Sequence, residues 1–74
     1  MTVKIKDIKP FCKEIRRKHI AEKGFRLFKH PTLSSAYIIC DSENVLGMVN
    51  NSILHNNSQT YWQLKNKNFI PFTF

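Results

Sequence analysis

Few side chains in this 74-residue sequence could take part in catalysis, and their spacing does not bring them together. His19 lies on the apolar stripe of a predicted helix, where a packed histidine is the simplest interpretation. His30 and His55 have no carboxylate partner or neighbouring nucleophile that would orient them for acid–base or nucleophilic chemistry. Asp41 and Glu43 fall at the tip of a predicted turn. The sequence therefore predicts neither a catalytic triad nor an acid–base pair, and we expect a protein that is not an enzyme.

Two cysteines, Cys12 and Cys40, are the remaining candidates for chemistry. They lack the Cys-x-x-Cys spacing of metal and redox sites, and none of the histidines pairs locally with either of them. We expect two buried free thiols rather than a disulfide, as is usual in the cytosol, and no metal or cofactor. The N-terminal sequence MTVKIKD holds no apolar stretch long enough for a signal peptide, and no apolar run approaches the ~18–20 residues of a membrane span. These features predict a cytoplasmic protein that does not act at a membrane.

Positive charge is the strongest signal in the sequence. The formal net charge is +7, and it comes entirely from the first thirty residues, where ten lysines and arginines stand against three acids. The rest of the chain is neutral, with two lysines against two acids. This asymmetry suggests a basic surface that meets an acidic partner and is carried by a neutral scaffold.

The basic third of the chain is predicted to form an amphipathic helix over residues 8–23. Its apolar face is marked by residues at helical spacing, namely Ile8, Phe11, Cys12, Ile15 and His19. Asp7 is a plausible N-cap, and Gly24 can adopt the positive φ of a helix C-terminus.

One flank of this predicted helix collects cations. At about 100° per residue, five lysines and arginines fall within an arc of roughly 120°, and Ile20 lies among them. Like charges four residues apart cost a few tenths of a kcal/mol per pair, and a solvated face usually intersperses glutamates, so the pattern favours a binding face over an ordinary solvated one. The candidate binding residues, with Ile20 as the exposed contact at their centre, are Lys9, Lys13, Arg16, Arg17, Ile20 and Lys23.

Strand patterns follow the helix. Alternating or continuous apolar runs predict strands at residues 25–29, 36–40, 45–49, 61–64 and 69–72. The second and third of these form a hairpin around a polar turn, the last two form another, residues 50–60 form a loop, and residues 2–6 form a short strand or an extended lead-in. We therefore expect a single α+β domain over residues 1–74, with one N-terminal amphipathic helix packed on an antiparallel sheet of about four or five strands.

Aromatic residues in the second half offer a second candidate surface. Tyr61 and Trp62 would face opposite sides of a strand, so the outward one is a candidate for base stacking or an interface, although coverage of both by neighbouring elements is the favoured alternative. The apolar end of the chain either packs as a final strand or leaves an edge for a partner. The secondary interface is predicted at Trp62, Phe72 and Phe74, with a homodimer through the C-terminal strand edge left open.

A basic helix followed by Gly24 and Phe25, a strand and a hairpin resembles the opening of HicA-type toxins. These toxins are small ribonucleases with a fold like that of double-stranded-RNA-binding domains, and the likeness covers roughly residues 11–49. The family's Gly-Ser-His signature would fall near residues 34–37, where this sequence has no histidine. The resemblance therefore carries over no catalytic residue.

We expect a small, basic, non-enzymatic binding module. Its richness in Lys, Ile and Asn suggests a phage or mobile-element origin, and its location would then be the host cytoplasm. The cationic face would engage nucleic acid, or the nucleic-acid-binding surface of a host nuclease or polymerase complex. The alternative is a protein-binding inhibitor of a host defence or regulatory factor, of the anti-restriction or anti-CRISPR type. A small ribonuclease toxin is a distant third hypothesis.

Overall fold

The computed structural model describes residues 3–73 of the chain. Within this range there are eight short helices and strands. In chain order they are α1 (Ile5–Ile8), β1 (Glu14–Ile15), α2 (Lys18–Ala21), β2 (Arg26–Lys29), β3 (Ala36–Cys40), β4 (Val45–Asn50), α3 (Asn51–Leu54) and α4 (Asn57–Asn66). The predicted α+β class and antiparallel sheet are confirmed, and the sheet has four strands. The helical part differs, because it consists of several short helices rather than one long one.

The four strands pair in the order β1-β2-β3-β4, so each strand lies next to the one that follows it in the chain. The predicted strand at residues 25–29 is β2, and the predicted first hairpin is formed by β3 and β4. Asp41 holds the hairpin turn, because its carboxylate accepts hydrogen bonds from the N–H groups of Glu43 and Asn44 at 2.9 and 2.7 Å. β1, with only two residues, lies at one edge of the sheet.

Both faces of the sheet are buried, because alternate side chains of a strand point to opposite sides. One core lies between the sheet and α1, with Phe72 packed against it, and its buried residues are Ile5, Ile8, Cys12, Phe28, Ile38, Cys40 and Met48. The second core lies between the sheet and α2, α3 and α4, and its buried residues are Ile20, Leu27, Tyr37, Ile39, Val49, Leu54 and Leu64. The N-terminal third of the chain therefore has to cover both faces.

The predicted helix over residues 8–23 is wrong for this reason. Its apolar residues do not share one face, since Ile8 and Cys12 pack in the first core whereas Ile20 packs in the second. One straight helix cannot cover both sides of a sheet, so the chain forms α1, pairs along the edge as β1 and forms α2 on the other side. Pro10, just after α1, also lacks the N–H that a longer helix would use.

Most of residues 51–66 are helical, where the sequence predicted a loop followed by the first strand of a second hairpin. Residues 50–60 contain α3 and the start of α4, and Tyr61 and Trp62 belong to α4 instead of a strand. The side-chain oxygens of Asn50 and Asn56 cap these helices by accepting backbone hydrogen bonds at 2.9 and 3.1 Å. Asparagine is as typical of a helix N-cap as of a loop, so the polar composition was ambiguous.

The C-terminal segment, residues 67–73, lies beside the free edge of β4. Ile70 exchanges two backbone hydrogen bonds with Met48, at 2.7 and 3.0 Å. Gly47 permits this approach, because a Cβ there would lie 2.6 Å from the Cβ of Phe69. A homodimer through this edge stays a prediction, and it would have to pair with the C-terminal segment rather than with β4 itself. Phe74, one of the predicted interface residues, lies outside the described residues.

Candidate functional site

The six residues predicted to bind a partner do not share one helix flank. Lys9 follows α1, Arg16 and Arg17 lie between β1 and α2, and Lys23 follows α2. Ile20 is only 1% exposed and packs in the second core, so it cannot be the exposed contact that the sequence predicted. Ile20 was predicted to lie among the cations because residues 8–23 were predicted to form one helix, and that helix does not form.

Several of these cations nevertheless meet along an open depression beside β1, α2 and β2. Its central part has a volume of about 660 Å³, and its lining includes Arg16, Arg17 and Arg26. A depression of about 410 Å³ shares Arg26 and Ser42 with it and adds three lysines, and another of about 620 Å³ shares Arg16 and adds Lys18. We call these three depressions, which share lining residues, the basic groove, and its cations are Lys4, Lys6, Lys9, Arg16, Arg17, Lys18 and Arg26.

An ion pair lies where the parts of the basic groove join. The Nε and Nη2 atoms of Arg26 donate hydrogen bonds to the two carboxylate oxygens of Glu14, at 2.8 and 2.7 Å. This hydrogen bonding with Arg26 is the main cause that lowers the pKa of the Glu14 carboxyl, and the charges of Lys9 and Arg16 contribute in the same direction. Cations from three separate segments therefore act on the same carboxylate.

The basic groove carries much more positive charge than its own acids neutralise. Its seven cations are accompanied in the lining by three carboxylates, those of Glu14, Glu22 and Glu43. Within residues 3–73, the pair of Arg26 and Glu14 is the only ion pair with a nitrogen–oxygen distance of 4.0 Å or less. Six cations of the basic groove are thus left to interact with solvent or with a ligand.

An aromatic pocket adjoins the basic groove at Phe25. It has a volume of about 300 Å³, and we call it the Tyr61 pocket, defined by Lys23, Phe25, Tyr61, Leu64 and Lys65. The Nζ of Lys23 lies over the Tyr61 ring, 5.0 Å from its centre, and Tyr61 as a residue is 37% exposed. Tyr61 and Lys65 lie four residues apart in α4 and therefore on one face of that helix.

Gly24 lies at the turn between the basic groove and the Tyr61 pocket. Its φ of 83° ends α2, as the sequence predicted for this residue. The N–H groups of Gly24 and Phe25 donate hydrogen bonds to the carbonyl oxygens of Ala21 and Ile20, at 3.0 and 3.3 Å, which is the pattern of a Schellman motif. The turn therefore sends Phe25 back toward the sheet and leaves Lys23 beside α4.

Three other predicted residues lie away from the basic groove. Lys13 precedes β1 and is exposed, and it lines none of the depressions described above. Trp62 is 56% exposed and lies on a separate depression of about 240 Å³ with Ile53, Gln59 and Gln63. Phe72 packs against the first core.

Several members of the site are not predicted from the sequence. Lys4, Lys6, Lys18 and Arg26 were counted in the charge but were not assigned to a surface, because their proximity depends on the chain crossing the sheet edge. Tyr61 is a candidate for base stacking from the sequence, but it is not among the residues of the predicted secondary interface. In a strand Tyr61 and Trp62 would differ by facing opposite sides, whereas in α4 both are exposed and differ in their neighbours.

The histidines and cysteines do not form a reactive cluster. The buried His30 has a structural role, because its Nδ1 accepts hydrogen bonds from the N–H groups of Thr32 and Leu33 while its Nε2 donates to the Thr73 carbonyl at 2.6 Å. Within residues 3–73, no group of three or more His, Cys, Asp or Glu side chains is placed to hold a metal ion.

The prediction of two buried free thiols is confirmed. Burial raises the pKa of both thiols, that of Cys40 to about 12. Neither thiol is therefore set up as a thiolate nucleophile near neutral pH.

Comparison with protein-family models, with curated proteins and with solved structures finds no match for this chain. In the described part of the chain, no helix has both the length and the apolar character that crossing a membrane requires. The function therefore has to be argued from the geometry of the site itself.

Proposed function

We propose that this protein is a non-enzymatic module that binds the phosphate backbone of a nucleic acid in its basic groove. The observation that carries the proposal is the convergence of seven cations from separate segments on three depressions that share lining residues, with a single internal ion pair in residues 3–73. Lysine and arginine side chains neutralise phosphates and release condensed counterions, which gives affinity without sequence reading. The two free thiols are typical of a reducing compartment, so the proposal places this binding in the cytoplasm.

The makeup of the basic groove favours a phosphate backbone over a protein surface as its ligand. Protein interfaces derive most of their binding energy from a few large, desolvated side chains near the centre. The large apolar side chains that are exposed in the described residues are Phe11, Leu33, Tyr61, Trp62 and Ile70, and none of them lines the basic groove. Ile20, which the sequence predicted as the exposed apolar contact at the centre of the binding face, is buried and therefore not available to a protein partner.

The proposal sets the expected dependence of binding on salt. If the six unpaired cations each neutralise one phosphate, log K should fall with log salt concentration with a slope of about −4 for a single strand and about −5 for a duplex. Between about 50 and 200 mM salt, this slope corresponds to a loss of affinity of roughly 10²- to 10³-fold.

Charge reversal of Arg16 and Arg17 tests the location of the site. Fluorescence anisotropy with labelled oligonucleotides should show binding by the unaltered protein at low salt and its loss in the variant R16E/R17E. The matched control is K13E/K67E, which makes the same change in net charge on exposed residues outside the basic groove. Circular dichroism establishes that both variants are folded. No binding by the unaltered protein at low salt, or an equal loss in both variants, would overturn the proposal.

A further inference from the structure

The Tyr61 pocket extends the basic groove with a different kind of surface. It shares Phe25 with the central depression and has its own cations in Lys23 and Lys65. A backbone followed along the basic groove thus reaches Tyr61, whose ring has the Nζ of Lys23 over one face and whose pocket is also lined by Lys65. This arrangement differs from the central depression of the groove, which is lined by arginines around buried and half-buried apolar residues.

The chemistry of this pocket suits a nucleobase. A base is flat and stacks on an aromatic face, and its neighbouring phosphates pair with lysine. The rings of Tyr61 and His19 meet edge to face with 6.3 Å between their centres, and Leu64 lines the pocket as an i+3 neighbour of Tyr61, so the ring is held in place by its surroundings. A base paired and stacked within a duplex is not available for such a contact.

We propose that the ligand of the basic groove is single-stranded nucleic acid and that the Tyr61 pocket binds one of its unpaired bases by stacking on Tyr61. This inference rests on the proposed function, because the backbone contacts in the basic groove are what bring the strand to the pocket. Stacking of this kind tolerates all bases, so it selects single strands over duplexes without selecting a sequence.

The neighbouring aromatic residue supplies a matched control. Trp62 is more exposed than Tyr61, at 56% against 37%, and it lies in the same helix. Its depression is lined by Ile53, Gln59 and Gln63 and contains no lysine or arginine. If exposed aromatic rings simply attracted oligonucleotides, Trp62 would matter more, whereas the proposal requires that Tyr61 matters.

The experiment compares two probes that carry the same phosphates. One is a labelled thymidine oligonucleotide of about 12 nucleotides, and the other is an abasic strand of equal length. The unaltered protein should bind the thymidine strand about 5- to 150-fold more tightly than the abasic strand. Tyr61→Leu should abolish this preference, Tyr61→Phe should keep it because the ring remains, and Trp62→Leu should leave it unchanged.

The outcomes separate this inference from the proposed function. Equal binding of the thymidine and abasic strands by the unaltered protein would overturn the stacking inference, and this readout does not depend on the folding of any variant. Tighter binding of a duplex of equal length, or displacement by polyglutamate at equal charge concentration, would also overturn it. If the thymidine and abasic strands bind equally, or if the duplex binds more tightly, the proposed phosphate binding still holds provided that R16E/R17E loses affinity. Absence of binding to every oligonucleotide at low salt would overturn both.

Discussion

Neutralising Glu14 should strengthen the binding of nucleic acid. In the folded protein the carboxylate of Glu14 holds the guanidinium of Arg26 through two hydrogen bonds, at the point where the parts of the basic groove meet. Glu14→Gln keeps the size of the side chain and removes its charge. Arg26 then becomes available to a phosphate, so the basic groove gains one cation without any new residue.

The expected size of this effect follows from the number of phosphate contacts. One additional contact with a single strand steepens the slope of log K against log salt concentration by about 0.7. Over a fourfold range of salt, from about 50 to 200 mM, the variant should lose roughly 2.6-fold more affinity than the unaltered protein. The side chains of Arg26 and Glu14 are 36% and 43% exposed, so losing their ion pair should lower the free energy of unfolding by only about 0.2–1 kcal/mol. The domain should therefore stay folded.

Fluorescence anisotropy over a salt series measures this slope, and urea denaturation measures the stability. The double variant E14Q/R26Q is the decisive control, because it keeps the net charge of the unaltered protein and lacks the released guanidinium. Its slope should return to that of the unaltered protein. An unchanged slope in Glu14→Gln would show that Arg26 does not reach a phosphate. If the double variant kept the steeper slope, the steepening would come from removing the repulsion between the Glu14 carboxylate and the phosphates, and not from the release of Arg26.

Three further predictions test the packing around the site. Ile20→Ala should lower the free energy of unfolding by about 2–5 kcal/mol in urea denaturation, because the side chain is 1% exposed, and a change near zero would contradict its burial. Gly47→Ala should cost about 1–3 kcal/mol and speed hydrogen exchange in the C-terminal segment, because the new Cβ would lie 2.6 Å from that of Phe69; unchanged stability would refute this close approach. Cys12 and Cys40 should react slowly with a thiol reagent at mildly alkaline pH until urea unfolds the chain, since burial raises the pKa of both thiols, and fast labelling of folded Cys40 would contradict this.

The strands β2, β3 and β4 were predictable because their signals are local. Residues 36–40 and 45–49 are apolar runs around a polar turn, and any hairpin of that composition has the same pattern. The helix over residues 8–23 was not predictable in this way, because helical spacing shows that apolar residues recur but not that they face one core. Ile8 and Ile15 belong to the apolar face predicted for this helix, whereas in the structure they pack on opposite faces of the sheet.

The candidate site was partly predictable for a related reason. The sequence places the positive charge in the first thirty residues. Three of the residues predicted to bind a partner, Lys9, Arg16 and Arg17, lie in the basic groove. Lys13 was grouped with them by helical geometry and lies outside it. The Tyr61 pocket needed the tertiary structure, because it joins the end of α2 to α4 across many residues of sequence.

The position of the basic groove at the β1 edge invites a second explanation for its charges. An exposed sheet edge promotes association between copies of a protein, and charged side chains beside the edge prevent this. Charges of either sign serve that purpose, whereas phosphate binding requires positive ones. R16E/R17E therefore separates the two roles within one variant. If edge protection were the whole role of these residues, the variant would stay monomeric and bind nucleic acid as before. If the basic groove binds phosphates, the variant stays monomeric and loses binding, so the sign of the charge, rather than its presence, carries the function.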